Sequence, residues 1–434
     1  MTASPVPASR PARRLWRLPE LLTDRPFRRY WGAQTISMFG DQITSIALPL
    51  TAVLVLHAGP AQMGYLTALE WLPSLLFGLH AGAWVDRSGH RRMTMITADL
   101  GRAALLASIP VCYALGALTL GQLYGVAFAV GVLSILFTVS DGTLFVSLVP
   151  EQSYVSGQSL VYSSRALSFV GGPSLGGILV QLLSAPFTLA ADALSFLGSA
   201  FFLARIRPEE PPSEAGGKGA LSAGVKWISR SAIVRASLLT AATVNFFNFM
   251  FSALVLLYVT RDLHIRPGLL GLVLGSGAVG GVLGSVLTSG LARRIGIGWS
   301  FALGCLLFTA PLLLVPLAGG PRPTVLAMLF AAEFLAGFGV MMLDISIGSI
   351  FAAVIPDQLR SRVMGAFQAV NYGTRPAGAL AAGALGSLAG VRLTLWIAVI
   401  GGVAGVLLLL PTPVPRFRMP AAPAQEAEPA QPVS

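Results

Sequence analysis

Long unbroken runs of apolar residues alternate along the chain with short polar segments. A run of about 20 apolar residues is the length that an α-helix needs to cross a bilayer. The strands of a membrane barrel would instead alternate apolar and polar residues over roughly ten positions. We therefore predict an all-α membrane protein with twelve transmembrane helices, near residues 30–56, 62–84, 93–117, 122–147, 156–182, 186–204, 236–260, 267–291, 298–318, 323–350, 363–388 and 393–411.

The twelve predicted helices fall into two sets of six. Residues 205–235 separate the sets and are too hydrophilic to enter lipid, with Pro, Gly, Glu and Lys among them. The chain ends in a stretch rich in Pro, Ala and Gln, a composition typical of disorder. The predicted order is a cytoplasmic tail, a six-helix bundle, a cytoplasmic linker, a second six-helix bundle and a disordered cytoplasmic tail, at residues 1–29, 30–204, 205–235, 236–411 and 412–434.

Composition and charge agree with a membrane location. Charged residues make up 11% of the chain, against about a quarter in soluble proteins. The net charge of +11 could by itself indicate a nucleic-acid partner. However, 22 of the 29 Lys and Arg lie in the tails and in alternate loops, the distribution that the positive-inside rule describes. We predict a multi-pass protein of a bacterial-type plasma membrane, with both termini cytoplasmic and no nucleic-acid partner.

Two short segments recur at nearly the same spacing in the two halves. The segment that contains Arg87 aligns with the one that contains Arg294. Pro-Glu-Gln at 150–152 aligns with Pro-Asp-Gln at 356–358, with an offset that differs from the first by a single position. Because transporters are often built from internal repeats, two loops with almost one offset indicate a duplicated chain.

The segment from Gly82 to Arg92, which reads GAWVDRSGHRR, resembles the loop signature of the major facilitator superfamily between its second and third helices. Other segments resemble the enterobactin-exporter and macrolide-efflux branch, namely Phe27-Arg28-Arg29, Gly40-Asp41, Gly172-Pro173, Asp192 to Phe196 and Arg360 to Met364. The resemblance implies two pseudo-symmetric six-helix bundles around a central cavity, alternating access, and efflux driven by a proton gradient. The sequence departs from the family in two places. His90 replaces an Arg of the loop signature, and the arginine signature of the fourth helix in proton antiporters is absent.

The resemblance also implies a conformational latch after the second helix. In the family the acid of this loop faces the N-terminus of the eleventh helix, here near Ser361 and Arg362, where the helix dipole favours a carboxylate. The predicted latch residues are Gly82, Asp86, Arg87, Gly89 and Arg91. The alternative is a charged loop that only fixes the membrane topology.

A second motif lies in the fifth predicted helix, where small residues surround a proline. Small residues allow helices to approach closely, and proline bends a helix by removing a hydrogen bond. The predicted hinge residues are Gly172, Pro173, Gly176 and Gly177, in a pattern that resembles the antiporter signature of this helix. The alternative is close packing that has no bearing on the direction of transport.

Ionisable side chains within lipid are costly and are therefore functional candidates. A carboxyl group in an apolar cavity can bind and release a proton near neutral pH. The predicted proton-coupling residues are Asp41, Glu70 and Glu333. The predicted cavity residues are Asp141, Arg165, Asn245, Asn248, Asp344 and Arg375. The alternative for each carboxylate is a structural ion pair with one of these two arginines, while Asp99 and Arg102, spaced i, i+3, are predicted to form a local pair.

These features favour a transporter over an enzyme. A phosphate-binding loop would end in Gly-Lys-Ser or Gly-Lys-Thr, but the nearest match, at 216–219, lacks the hydroxyl residue. A membrane transferase would need paired acidic clusters to hold magnesium, and the chain has none. The four histidines, His57, His80, His90 and His264, do not have the spacing of metal ligands, so no metal or cofactor is expected.

The predicted function is the export of a small organic molecule, a drug or a secondary metabolite, by a monomer that uses protons as the coupling ion. An acid-lined cavity with aromatic neighbours suits a cationic or amphipathic substrate. Two alternatives stay open: siderophore export, in which Arg165 and Arg375 would meet an anionic catecholate, and proton-coupled uptake. A passive channel or scaffold conflicts with the latch and with the duplicated halves.

Overall fold

The computed structural model describes residues 20–207 and 226–418, apart from a few side chains near the ends of two helices. Throughout these ranges helices follow one another and no strand occurs. Their bounds are α1 Arg25–Leu54, α2 Pro60–Ser88, α3 Arg91–Ala114, α4 Leu120–Leu148, α5 Tyr154–Leu183, α6 Ala185–Ala204, α7 Ala232–Arg261, α8 Pro267–Ile295, α9 Ile297–Leu317, α10 Arg322–Val354, α11 Asp357–Ala389 and α12 Val391–Leu407.

Several local signals determine where these helices begin and bend. At the start of α1, the Asp24 carboxylate accepts a hydrogen bond from the Phe27 amide at 3.0 Å and so caps the helix. The helix α9 continues after Thr309 as a 3-10 turn over Ala310–Leu313, where Pro311 has no amide hydrogen to donate.

Nine of the described helices are long and apolar enough to cross a membrane, and α12 is apolar but shorter. The prediction of an all-α, multi-pass membrane protein is therefore confirmed. The number of twelve spans stays a prediction.

The helix pairs of the first half recur six helices later. In the first half α1 packs on α5 and α6, α2 packs on α4, and α3 packs on α4; in the second half α7 packs on α11 and α12, α8 on α10, and α9 on α10. The two halves meet mainly through α2 against α11 and α5 against α8. The described helices thus pack in two similar sets, as the predicted pseudo-symmetry requires.

The backbone itself repeats with nearly the offset that separates Arg87 from Arg294. All described residues with a left-handed φ form four such pairs: His57 and His264, Gly89 and Gly296, Gly116 and Gly320, Ser184 and Gly390. His57 and His264, at φ 51° and 53°, occupy equivalent turns after α1 and α7. A non-glycine residue is strained in this region, so the same turn has been kept in both halves.

Four glycines bring the two halves into close contact at one end of the helices. A Cβ on Gly64 of α2 would lie 2.7 Å from the Gly383 Cα of α11. A Cβ on Gly271 of α8 would lie 2.9 Å from the Gly177 Cα of α5. Gly64 and Gly271 are equivalent positions of the repeat, as are Gly177 and Gly383, so the two contacts are equivalent. Both contacts lie at the end of the helices where α1 stops and α2 starts. We call this end the opposite face, and we call the other end, where α1 starts, the tail face.

The chain outside the two bundles is described only in part. Of the predicted tails and linker, residues 1–19, 208–225 and 419–434 lie outside the described residues. The predicted N-terminal tail reaches into α1, which starts at Arg25. Residues 412–418, assigned by the sequence to the disordered tail, pack beside α9, where Val414 is fully buried and the Gly298 amide donates to the Phe417 carbonyl at 3.3 Å.

Replacing Gly64 or Gly177 by Val should separate the halves at the opposite face, because neither position has room for a Cβ. The measurement is the distance between spin labels attached at Ala117 and Gly319, exposed loop residues of the two halves on this face. We expect a longer mean distance in both variants. The control is Gly125→Val, since an added Cβ there meets nothing within 4 Å. An unchanged distance in both interface variants would contradict the steric argument.

Candidate functional site

The first cavity lies between α1, α2 and α4 of the first half and α11 of the second, with a volume of about 480 Å³. Two of the predicted proton-coupling residues, Asp41 of α1 and Glu70 of α2, line it together. Trp71 and Tyr372 contribute aromatic surface to the same cavity. The cavity is thus acidic and aromatic, which is the chemistry that attracts organic cations.

Asp41 is held by an arginine that the sequence does not place beside it. The Arg102 guanidinium lies 3.7 Å from the Asp41 carboxylate and also forms an ion pair with Asp99, one turn earlier on α3. Arg102 is 1% exposed, so the predicted local pair of Asp99 and Arg102 exists but lies in the centre of the first bundle. The predicted alternative, in which Asp41 pairs with Arg165 or Arg375, is not seen.

A third carboxylate joins this cluster from α6. Asp192 is completely buried and accepts hydrogen bonds from the hydroxyls of Thr44, at 2.5 Å, and Ser195, at 2.7 Å. It lies directly against α1, since a Cβ on Gly40 would overlap with its carboxylate.

The cluster around Arg102 therefore holds more acids than bases. Among the described residues, the carboxylates of Asp41 and Asp99 pair with the Arg102 guanidinium, and the third carboxylate, that of Asp192, is near enough to interact electrostatically with both Arg102 and Asp41. The Arg102 guanidinium also stacks over aromatic rings, 4.0 Å from Phe196 and 4.5 Å from Phe137. If every carboxyl group were ionised, the cluster would carry two excess negative charges. Asp99 and Asp192 are buried, where such charges are costly, whereas the Asp41 side chain is 48% exposed to the first cavity.

Glu70 and Glu333 differ from Asp41 because no hydrogen bond or ion pair holds either side chain within the described part of the chain. Glu333 lies on a second cavity of about 320 Å³, together with Asn248 of α7 and Pro173 of α5. An ion pair with Arg165 or Arg375 is thus not formed by either glutamate.

The two glutamates occupy related places in the two halves. A Cβ on Gly277 would lie 3.4 Å from the Glu333 Oε2, and Gly277 is the repeat equivalent of Glu70. Glu333 is in turn the equivalent of Ala127, which lines the first cavity with Glu70. One carboxylate, Glu70 of α2, thus lies between α2 and α4 in the first half. The other, Glu333 of α10, lies between the equivalent helices α8 and α10 in the second half.

The remaining predicted cavity residues are scattered. Asp141 of α4 accepts hydrogen bonds from Tyr30, at 2.6 Å, and from Gln34, both within the first half. Asn245 donates to the Asn371 side chain at 2.8 Å and so links α7 to α11. Arg165 is exposed on α5, 5.8 Å from the Tyr162 ring.

Arg375 lies among three aromatic rings, at 4.1 Å from Trp71, 4.9 Å from Tyr372 and 5.0 Å from Phe249. Asp344 is exposed on α10 and is the carboxylate whose charge acts on this guanidinium. The two side chains are too far apart to form an ion pair.

The predicted latch can be compared with the structure only in part. Gly89 ends α2 with a left-handed φ of 63°, and Arg91 at the start of α3 is 7% exposed. Gly82, Asp86 and Arg87, like Ser361 on α11, lie outside the residues whose side chains the structure describes. The contact between the Asp86 carboxylate and α11 stays a prediction.

The predicted hinge residues of α5 all lie in helix contacts. A Cβ on Gly176 would lie 3.3 Å from the Ile43 Cα of α1, and Gly172 packs on Gln42 of the same helix. The Pro173 carbonyl and Gly177 contact Gly271 of α8. This is the close packing that the sequence leaves as the alternative, and the hinge role stays a prediction.

Sequence reasoning missed Asp192, Arg102 and Trp71 as parts of the site. Asp192 lies inside a predicted transmembrane helix, as Asp41 does, and could have been found by the same criterion. Nothing in the sequence indicates that Arg102 reaches α1, or that the Trp71 ring covers a guanidinium in the other half of the chain, because both contacts depend on how the helices pack.

Comparison with known proteins agrees with this architecture. Residues 21–434 match a protein-family model described as transmembrane secretion effector. An uncharacterized major-facilitator-type transporter YfiS of Bacillus subtilis is 28% identical over 83% of this chain and 87% of its own. The multidrug efflux pump Tap of Mycolicibacterium fortuitum is 26% identical over 82% of this chain and 88% of its own.

Solved structures with the same fold are more distant in sequence. The nucleoside transporter NupG superposes with a TM-score of 0.69 at 13% identity, over 89% of this chain and 97% of its own. A bacterial homologue of the lysosomal transporter Spinster, in an inward-facing and unoccupied conformation, gives 0.67 at 14% identity, over 91% and 98%. At these identities the similarity concerns the fold alone.

Arg102→Leu should destabilise the protein strongly, because it leaves Asp99 buried without its cation; breaking a buried pair in this way costs about 3–5 kcal/mol. The measurement is thermal unfolding of the purified protein in detergent. Asp99→Asn added to Arg102→Leu should restore part of the loss, since it removes the uncompensated charge. The control Arg165→Leu, at an exposed arginine, should leave the unfolding temperature unchanged. Equal losses in the two arginine variants would argue against the cluster.

Proposed function

The chain belongs to the transmembrane secretion effector family of major facilitator transporters and is a multi-pass membrane transporter, not an enzyme; from this membership we propose that it exports cationic or amphipathic organic molecules in exchange for protons. The substrates would be drugs or secondary metabolites, moved by alternating access. The observation that carries the proposal is the first cavity, which Asp41 and Glu70 line together with Trp71 and Tyr372.

The charges around this cavity support proton exchange. Asp41 joins the cavity to the Arg102 cluster, which contains three carboxylates and one guanidinium. A proton on one of these carboxyl groups reduces the excess negative charge, and a cationic substrate near Asp41 does the same. Because either cation satisfies the same site, the two compete, which is the requirement for antiport. Arg102 of α3 would then take the place of the arginine that the fourth helix lacks.

Glu70 supplies a second carboxylate that a proton or a substrate can use. It lines the cavity and has no described partner that would fix its charge. Glu333, on the second cavity with Asn248, is the equivalent candidate in the other half. We propose Asp41 and Glu70 as the principal coupling residues, with Glu333 as a subsidiary one.

We further propose that the tail face is cytoplasmic, in keeping with the distribution of Lys and Arg. The opposite face, which the four glycines close, is then the external side. In the conformation that is open to the external side, the glycine contacts between the halves would separate, and the Asp86 latch on the tail face would close.

The siderophore alternative receives less support. It needs a free arginine at the cavity wall, but Arg375 is surrounded by three rings. Neither Arg165 nor Arg375 is among the lining residues of the two cavities. Uptake uses the same geometry as export, so the direction has to be measured.

The test is efflux of a panel of cationic dyes from an efflux-deficient bacterium that expresses the protein, with and without a protonophore. We expect dye export that the protonophore abolishes, and its loss in Asp41→Asn and Glu70→Gln, because each variant removes a carboxylate that both cations need. Glu151→Gln, at an exposed acid between α4 and α5, is the matched control and should export normally.

Expression levels of all variants are compared on the same membranes. Export that continues in the presence of the protonophore and in both carboxylate variants would contradict proton antiport. Dye accumulation above that of the empty strain would contradict export and indicate uptake.

A further inference from the structure

Arg375 is a half-buried cation that aromatic rings hold in place of a carboxylate. Its guanidinium carbon lies 4.1 Å from the Trp71 ring, 4.9 Å from the Tyr372 ring and 5.0 Å from the Phe249 ring. Trp71 and Phe249 also contact each other edge to face, with their centroids 5.2 Å apart. We call these three rings the aromatic cage.

The polar interactions that normally accompany an arginine inside a helix bundle are missing within the described residues. No carboxylate there forms an ion pair with Arg375. Its Nε is buried without a hydrogen-bond partner. An arginine with these surroundings depends on cation–π attraction, which strengthens when the cation is removed from water.

The aromatic cage is assembled from both halves and borders the first cavity. Trp71 comes from α2, Phe249 from α7 and Tyr372 from α11. Trp71 and Tyr372 line the first cavity, where Asp41 and Glu70 supply negative charge. A cation that enters this cavity thus meets two carboxylates and two of the three rings of the cage.

We propose that the aromatic cage is a binding site for the cationic group of the transported molecule, and that Arg375 occupies it as an internal substitute when the cavity is empty. A quaternary ammonium or phosphonium group presents the same charge to the rings as a guanidinium, so the two compete for the cage. Substrate binding then displaces Arg375. The proposal rests on the proposed function, since it names the subsite of the same cavity.

The test uses two ions of the same shape and opposite charge, tetraphenylphosphonium and tetraphenylborate, bound to the purified full-length protein in detergent. Trp71→Leu should weaken tetraphenylphosphonium binding at least about fivefold, because it removes the nearest ring. Arg375→Gln should tighten it several-fold, because the competing cation is gone. Tetraphenylborate binding should not weaken in Trp71→Leu.

Two further variants keep the result interpretable if one of these fails to fold. Trp71→Phe retains a ring and should lose less affinity for the phosphonium ion than Trp71→Leu. Phe77→Leu is the matched control, because the Phe77 ring pairs with Phe128 on α4, away from Arg375, and its loss should leave both affinities unchanged.

Equal weakening of both ions in Trp71→Leu, or weaker phosphonium binding in Arg375→Gln, would overturn the proposal. Binding and export can fail separately. Charge-selective binding that depends on the cage, in a protein that exports no dye, would sustain the subsite and reject the export. Normal dye export, together with a phosphonium affinity that Trp71→Leu leaves unchanged, would sustain the export and reject the subsite.

Discussion

A charge inside a bilayer has neither water nor mobile ions around it, so its partners must come from the protein or from the transported molecule. The first bundle neutralises Arg102 with acids from α1 and α3 and with two aromatic faces. Among the described residues, Glu70 and Glu333 have no such partner and lie on cavity walls, while Arg375 has aromatic rings in place of an ion pair. Each unpaired charge thus has either a cavity wall or aromatic faces around it, because lipid itself does not tolerate such charges.

Duplication repeats the backbone of this protein more faithfully than its charges. The left-handed turns and the interface glycines recur in both halves at nearly one offset. The side chains diverge at the same offset, since Asn248 is the equivalent of Asp41 and Gly277 that of Glu70. The second half places its acid on α10 instead of α8. Within the described residues the backbone of the two halves is thus more alike than their charged side chains.

The sequence predicts the elements of this fold well, because apolar runs, loop charges and an internal repeat are one-dimensional patterns. It also finds Asp41 and Glu70, since a carboxylate in an apolar run is conspicuous. It does not place them in one cavity, and it cannot connect Asp41 to Arg102, because that contact depends on the rotation of α3 about its axis. The resemblance to a known family contributes the latch at Asp86 and the hinge at Pro173, which geometry alone would not single out.

The two equivalent interfaces between the halves close through different interactions, and this difference bears on coupling. Between α5 and α8, the Gly268 amide donates to the Gln181 side chain at 3.1 Å, and the Ser174 hydroxyl donates to the Gly271 carbonyl at 3.4 Å. Between α2 and α11, Trp71 covers the Arg375 guanidinium; the equivalent positions are Ala278 and Phe169, which cannot make such a contact. A cation in the first cavity can compete for the Trp71 ring but offers nothing to an amide or a carbonyl that is already paired. Substrate would thus act on the interface between α2 and α11, whereas the interface between α5 and α8 offers it no group to compete for.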